Sequence, residues 1–226
     1  MFMFQKRLDK NSENSIDVEG DLCKLFSNFE WNLKGIIDAN NRVYPIPKIP
    51  QVITGIFEFL GMRKVVELAS KYKCEAIESG SREYPDLTLR GGKLGTRFIA
   101  VEIKTARKTG TNTCSRMSLG SCAGYFLQPQ IKMYGCKFPY GVFTEHLIVG
   151  FIYTWNKRLD SLHMVSDVEI IIQQKWKIAS KSTATGDTAA IGAVTNVTGL
   201  KNGRGEFTSS EEFEKYWREK GRNYKR

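Results

Sequence analysis

The fold of this chain is decided by a stretch that reads EYPDLTL (residues 83–89), then the glycine-rich RGGKLG, then RFIAVEIKTA (residues 97–106). Two strand-like apolar runs on either side of a glycine-rich segment predict an antiparallel hairpin. Side chains two residues apart on a strand point to the same face, so Glu102 and Lys104 share one side of the second strand. The hairpin is expected to bring Asp86, at the start of the first strand, beside Glu102.

Two neighbouring carboxylates and a lysine suit metal-assisted hydrolysis. The acids repel each other, and a hard divalent cation such as Mg²⁺, which prefers oxygen ligands, would hold them together. Such a cation binds a phosphate oxygen and lowers the pKa of a water. Lys104 would orient that water and offset the negative charge that grows on phosphorus. The set therefore indicates phosphodiester hydrolysis, and the alternative is a cross-strand ion pair on a solvated face.

Apolar periodicity predicts further elements on both sides of the hairpin. The predicted helices span about residues 15–33, Pro50 to about residue 72, residues 125–135, and residues 209–220 with Ser209 and Glu212 in capping-box spacing. The predicted strands are a pair around Asn40 and Asn41, the run HLIVGFIYTW (residues 146–155), and a segment within residues 167–180. Residues 107–121 and 180–206 are predicted loops, the second broken by a short strand.

The composition is typical of one folded domain with a basic surface. The chain has 226 residues, of which 41% are hydrophobic and 26% charged. Its formal net charge of +10 and pI of about 9.4 favour a polyanionic partner, nucleic acid ahead of an anionic membrane. Basic proteins without a nucleic-acid function are nevertheless common. No apolar run has the length of a membrane span, and the first residues have the wrong order for a signal peptide, so an intracellular protein is expected.

Cysteine and histidine offer little for metal binding. The five cysteines are odd in number and lack CxxC spacing, which argues against a disulfide framework and a zinc site. They are expected to be reduced thiols, and His146 and His163 are expected to be structural. Catalysis is therefore expected to depend on carboxylates and lysine.

The segments YPDLTL and IAVEIKT resemble the motif of the PD-(D/E)xK nucleases. The similarity to EcoRV-type restriction endonucleases continues in the same order over nearly all of residues 35–218. It is carried by GIIDANNRVYP, GIFEFL, HLIVGFIYTW, QKWKIA, TGDTAAIGA and SSEEFEKYWR. The resemblance implies an α/β fold with a PD-(D/E)xK restriction-endonuclease-like core of the EcoRV-like branch, in which helices flank a mixed central sheet. A single nuclease domain would span residues 1–226, with lobes at about 15–75 (helical and dimerisation part), 76–180 (catalytic core) and 181–226 (recognition loop and C-terminal helix).

The same resemblance implies a Mg²⁺-dependent type II restriction endonuclease of the bacterial cytoplasm. It would act as a homodimer that binds double-stranded DNA at a short palindromic site and leaves blunt ends with 5′-phosphates. A cognate DNA methyltransferase would be its genetic partner rather than a member of a stable complex. The rival interpretations are a PD-(D/E)xK nuclease of DNA repair or junction resolution and a non-catalytic DNA-binding module.

The resemblance also assigns roles to the residues of the motif. Asp86 and Glu102 would be metal ligands and Lys104 the catalytic lysine, with Ile103 counted among the metal ligands. The second acid is an aspartate in EcoRV, so a glutamate here can shift the reach and the metal geometry. Glu58, in GIFEFL, matches a further acid that approaches the same metal region and is counted among both the catalytic residues and the metal ligands; its alternative is a solvated helix carboxylate.

Base reading is expected in the glycine-rich loop TATGDTAAIGA, which stands at the place of the family's major-groove loop. The candidate readers are Ala184, Gly186, Asp187 and Thr188. Glycine lets the backbone approach base edges, and the Asp187 carboxylate suits an amino group of cytosine or adenine. EcoRV has asparagine and glycine where Asp187 and Ala184 stand, so the resemblance does not predict which DNA sequence this protein recognises.

Further DNA contacts are expected outside that loop. In ESGSREYPD (residues 78–86), Ser81 and Arg82 stand where the family has a glutamine-rich minor-groove loop. An arginine there can enter a narrow minor groove or hold a phosphate. The residues expected to touch the DNA backbone, which positions DNA without reading it, are Thr105, Arg107, Ser118 and Gly124.

Overall fold

The computed structural model describes residues 16–186 and 188–224. Its α-helices are α1 (Val18–Phe26), α2 (Pro50–Tyr72), α3 (Lys175–Ile178), α4 (Val197–Lys201) and α5 (Ser210–Arg222). Its strands are β1 (Ile36–Ile37), β2 (Val43–Tyr44), β3 (Glu75–Glu78), β4 (Leu87–Arg90), β5 (Phe98–Gly110), β6 (Thr113–Cys114), β7 (Ser118–Ser121), β8 (Glu145–Trp155), β9 (Val165–Gln174), β10 (Ala179–Thr183) and β11 (Ala190–Ala193). Within the described ranges, no helix is long and apolar enough to cross a membrane.

The central sheet is mixed, which confirms the predicted fold class. Its strands follow the order β3-β4-β5-β8-β9, and β6 also pairs with β5. β5 and β8 run parallel, with Glu102 opposite Ile148, whereas the other neighbours along this order pair antiparallel. β8 lies in the interior of the sheet because its side chains are apolar on both faces.

A hydrophobic layer covers each face of this sheet. On one face, Phe151 of β8 packs against Phe26 of α1 and Phe57 of α2, with ring centroids 5.9 and 4.9 Å apart. On the other face, Ile148 of β8 belongs to a second buried cluster that includes Trp217 of α5. Burying a phenylalanine side chain contributes about 1.5–3 kcal/mol. β5 and β8 are therefore held between two packed layers, and β5 can present charged groups at fixed positions.

The two faces of β5 differ as the alternation predicts. Val101 and Ile103 are buried in the layer that contains α1 and α2. Ala100 and Ala106 belong to the opposite layer, so Glu102 lies on that side with Lys104. The charged pair therefore faces the layer that contains β7, β10, β11 and α5.

A second, smaller sheet in that layer has the strand order β10-β11-β7. α5 packs beside it and begins with the predicted cap: Oγ of Ser209 accepts a hydrogen bond from the N–H of Glu212 at 3.1 Å. The Glu212 carboxylate accepts from the N–H of Thr208 at 2.8 Å, one residue before the cap. Phe213 and Trp217 of α5 are buried against the sheet. The helix thus fixes the layer that faces the charged side of β5.

The structure confirms several predicted elements around this core. α2 begins at Pro50 and ends at Tyr72, and β1 and β2 turn back over Asn40 and Asn41. β4 and β5 pair antiparallel, as the glycine-rich connection predicts. His146 stacks on Tyr140, with centroids 4.3 Å apart, and every described cysteine is a free thiol.

Other segments differ from the prediction. α1 ends at Phe26, well before residue 33, and residues 125–135 form no α-helix; a single 3₁₀ turn, Gly124–Phe126, stands there instead. The predicted loop 107–121 contains the end of β5, then β6 and β7, and the predicted loop 180–206 contains β10, β11 and α4. These strands carry mostly short polar and small side chains without apolar periodicity, and they are ordered by backbone pairing: β6 with β5, β10 with β11, and β7 with the distant β11.

Candidate active site

The register of the β4–β5 pair places Asp86 beside the charged face of β5. Leu87 pairs with Val101, and Asp86 immediately precedes Leu87. Oδ2 of Asp86 accepts a hydrogen bond from the N–H of Ile103 at 2.7 Å. The strand that carries the second acid and the lysine therefore also orients the first acid.

Lys104 joins the two acids. Its Nζ lies 2.8 Å from Oε1 of Glu102 and 3.5 Å from Oδ2 of Asp86. Glu102 is buried, with 5% of its surface exposed, whereas Asp86 and Lys104 keep about a fifth of their side chains exposed. The structure thus brings Asp86, Glu102 and Lys104 into one partly open cluster.

The ionisation of these groups is coupled. Loss of solvation raises the pKa of Asp86; Lys104 opposes this, and the negative charge of Glu102 adds to it. Burial alone would also raise the pKa of Glu102, but the charges of Lys104 and a second lysine, Lys175, outweigh burial and lower it. Burial alone would lower the pKa of Lys104, but Glu102 and Asp86 outweigh burial and raise it above its usual value. The site therefore holds a charged lysine and an ionised Glu102.

Sequence reasoning missed Lys175, which belongs to the same cluster. It is the first residue of α3, directly after β9, and only 1% of its surface is exposed. Its Nζ lies 3.6 Å from Oε2 of Glu102 and 4.6 Å from the ring centroid of Tyr84. Burial lowers the pKa of Lys175, and the charge of Glu102 opposes that shift. The sequence carries little signal for this role, because Lys175 stands in the polar segment QQKWK that follows the apolar residues Ile170–Ile172.

The atoms of the site fit a hard divalent cation. The carboxylates of Asp86 and Glu102 supply oxygen donors, and Mg²⁺ is commonly held by one or two carboxylates plus substrate phosphate. Within the described ranges, no three His, Cys, Asp or Glu side chains are grouped to hold a metal ion. Glu58 is exposed on α2. Its negative charge raises the pKa of Asp86, but by less than the negative charge of Glu102 does. The structure therefore brings two carboxylates together beside Lys104, while Glu58 stays exposed on α2.

Three of the expected base-reading residues, Ala184, Gly186 and Thr188, lie between β10 and β11 at the tip of a hairpin. β10 and β11 pair antiparallel, and the N–H of Ala184 donates to the carbonyl of Ala190 at 2.9 Å. Gly186 has a φ of +46°, and Thr188 is exposed. Asp187 lies outside the described residues. The strand pair that carries this hairpin is itself paired to β7 through β11.

The other expected DNA contacts are dispersed over the surface. Ser81 and Arg82 are exposed in the turn between β3 and β4, where Arg82 has a φ of +63°. Thr105 points away from Glu102, toward Thr54 of α2, with the hydroxyl oxygens 3.3 Å apart. Exposed Arg107 lies over Trp155, exposed Ser118 begins β7, and Gly124 begins the 3₁₀ turn, with a φ of +56°. The structure does not gather these residues into a single cluster with the acids.

Comparison with known proteins gives concordant results. The family model described as restriction endonuclease EcoRV matches residues 27–226. The type II restriction enzyme EcoRV of Escherichia coli is 27% identical over 214 residues, which cover 88% of this chain and 84% of that enzyme. The matched region contains the acids, both lysines and the hairpin tip.

Proposed function

The chain belongs to the EcoRV restriction endonuclease family, and from this we propose that it hydrolyses duplex DNA at a short palindromic site with Mg²⁺ as its cofactor. The observation that supports the proposal is the contact of Lys104 with both acids on β5, where the side chains of Lys104 and Asp86 remain partly exposed. A charged lysine and two carboxylates at one point match the chemistry of phosphodiester hydrolysis better than that of a passive DNA-binding surface.

In the proposed reaction, a water attacks phosphorus and the 3′-oxygen leaves, which gives a 5′-phosphate and a 3′-hydroxyl. Mg²⁺ held by Asp86, Glu102 and the carbonyl of Ile103 would polarise the phosphate and acidify a water. Asp86 is kept in place by the Ile103 N–H, so its free oxygen keeps one orientation. Lys104 orients the attacking water and stabilises the charge that develops on the phosphate oxygens. We assign Glu58 a lesser role as a further acid near the metal region.

Sequence preference is assigned to the tip of the β10–β11 hairpin. Ala184, Gly186, Asp187 and Thr188 would contact base edges in the major groove, and blunt ends would follow from cuts at matching positions on the two strands. Ser81 and Arg82 would contact the minor groove or a phosphate, and Thr105, Arg107, Ser118 and Gly124 would contact the backbone. The net charge of +10 supports this assignment, because cationic side chains release counterions from DNA.

A homodimer is part of the proposal, because two-fold symmetry lets each active site address one strand of a palindrome. An exposed apolar ribbon supports it: Ile37 of β1 and Val43 of β2 expose 62% and 56% of their surfaces. Ile37→Lys is expected to shift the mass measured by analytical ultracentrifugation from dimer to monomer. A cognate DNA methyltransferase is the proposed genetic partner.

The deciding experiment is incubation of unmethylated plasmid with the purified protein and Mg²⁺, followed by sequencing of the fragment ends. Discrete double-strand breaks at one palindrome are expected, and Lys104→Ala is expected to abolish them. Lys108→Ala is the matched control, because Lys108 lies four residues along the same strand but pairs with Glu169 at 2.7 Å. Cleavage without a preferred sequence would favour a repair or junction nuclease, and binding without Mg²⁺-dependent cleavage would favour a DNA-binding module. Wild-type cleavage by Lys104→Ala would refute the site.

A further inference from the structure

Glu102 is held by two lysines from different parts of the fold. Lys104 contacts Oε1 at 2.8 Å from the same strand, and Lys175 faces Oε2 at 3.6 Å from α3, which follows β9 two strands away. Neither Oε2 of Glu102 nor Nζ of Lys175 has a hydrogen-bond partner among the described residues. The two buried atoms therefore balance each other's charge.

Glu102 is the carboxylate in ionic contact with Lys175, and Glu214 acts on the same lysine from farther away. Its ammonium lies over the rings of Tyr84 and Tyr140, at 4.6 and 5.7 Å from the centroids. The hydroxyl of Tyr84 contacts His146, and that of Tyr140 donates to Glu214 at 2.9 Å. Glu214 is also paired with Arg218 at 2.6 Å. The rings of Tyr84 and Tyr140 thus face the ammonium group of Lys175, while its ionic contact is with Glu102.

The backbone of β7 at Gly120 lies close to Lys175. Gly120 of β7 has a φ of +90°, and a Cβ built there would lie 3.4 Å from Nζ of Lys175 and 3.9 Å from Oε1 of Glu102. A Cβ at this position would be in van der Waals contact with both groups. The positive φ favours glycine there, so β7 passes close beside the lysine and the carboxylate.

We propose that Lys175 is a positioning residue for the hydrolysis: it holds Oε2 of Glu102 so that Oε1 faces Lys104 and the metal region. This proposal rests on the proposed function of the site. Lys175 itself touches neither DNA nor the reacting phosphate. Residues that orient metal-ligating carboxylates commonly change metal affinity or activity by about 10- to 100-fold when they are removed.

The kinetic test compares wild type with Lys175→Met, which keeps an apolar stem but removes the charge. Single-turnover cleavage at saturating Mg²⁺ is expected to slow by about 10- to 100-fold, while DNA affinity without divalent cation stays within about threefold of wild type. Lys177→Met is the matched control, because Lys177 lies on the same helix and faces Glu19 at 3.7 Å. Cleavage by Lys175→Met within about twofold of wild type would overturn the proposal.

A second readout measures the contact itself without cleavage. Urea unfolding of wild type, Lys175→Met, Glu102→Gln and the double variant forms a thermodynamic cycle. Lys175→Met leaves the buried Oε2 of Glu102 without a counter-charge, so it should change the unfolding equilibrium at least tenfold more in the Glu102 background than in the Gln background. Equal effects in both backgrounds would make Lys175 a structural lysine and contradict the proposal.

The cycle also decides the case in which the single variant does not fold. If Lys175→Met does not fold but the double variant with Glu102→Gln does, the pairing is supported. If neither Lys175→Met nor the double variant folds, the pairing is overturned. Because unfolding needs neither DNA nor metal, this readout is independent of the proposed nuclease activity. If the cycle shows coupling between Lys175 and Glu102 but the wild-type protein does not cleave DNA, the proposed function is contradicted and the contact between the two residues is still established.

Discussion

The backbone N–H of Ile103 donates a 2.7 Å hydrogen bond to Oδ2 of Asp86, so the strand that supplies Glu102 and Lys104 also fixes the acid in front of it. The pKa of Asp86 is nevertheless raised, because loss of solvation and repulsion from Glu102 outweigh the attraction of Lys104. An acid with a raised folded-state pKa destabilises the fold when it is ionised. The acid is thus retained at a cost to stability, which fits a functional rather than a structural role.

Asp86→Asn is expected to abolish cleavage and to stabilise the fold. Asparagine keeps the oxygen that accepts from Ile103 but removes a charge that burial disfavours. We expect a gain of about 1 kcal/mol without divalent cations, which corresponds to a rise in Tm of roughly 2–4 °C for a domain of this size. Differential scanning calorimetry at pH 7 measures it. A lower Tm would show that the charge of Asp86 stabilises the site through Lys104.

Gly120→Ala is expected to damage the site from the opposite side. A Cβ there would lie 3.1 Å from Oη of Tyr125 and 3.4 Å from Nζ of Lys175, at a φ of +90°. Strain of this kind costs about 1–3 kcal/mol, and cleavage should fall with stability. The control is Gly55→Ala, since no atom lies within 4 Å of a Cβ built on Gly55 in α2. That change should stabilise the helix by up to about 1 kcal/mol, and equal effects of the two substitutions on urea unfolding would contradict the prediction.

The sequence predicts the part of the site that is local in the chain. Glu102 and Lys104 share a face because strands alternate, and Asp86 joins them because an antiparallel hairpin fixes the register. Such reasoning does not predict the role of Lys175, because this residue lies close to Glu102 only when β8 and β9 are paired beside β5 in the folded sheet. The strand β7 (SLGS) could not be predicted either, because its side chains show no apolar period and its pairing partner, β11, lies far away in the sequence.

Asp187→Ala is expected to change sequence preference while cleavage chemistry remains. A carboxylate accepts hydrogen bonds from base amino groups, and a good contact of this kind contributes about 1–3 kcal/mol of discrimination. Sequencing the ends produced from a randomised DNA library measures the preference at each base pair. Glu219→Ala, an exposed acid on α5, serves as the charge-matched control. Identical preference profiles for the wild type and Asp187→Ala would remove Asp187 from the base-reading set.

Asp21→Asn is expected to destabilise the fold in a manner that depends on pH. The carboxylate of Asp21 in α1 accepts from Lys71 at 2.8 Å and from the Tyr72 hydroxyl at 2.7 Å, and both contacts hold its pKa well below the usual range. A carboxyl with a lowered folded-state pKa stabilises the fold fully above its unfolded pKa of about 3.9, and the stabilisation is lost as the pH falls below that value.

At pH 7 the variant should therefore lose about 1 kcal/mol, and the difference from wild type should shrink as the pH is lowered below about 4. Urea unfolding at a series of pH values measures this difference directly. Lys71→Met should remove part of the effect, so the two substitutions together should cost less than the sum of their separate costs. A difference that stays constant with pH would assign the loss to packing between α1 and α2 instead of to the charge of Asp21.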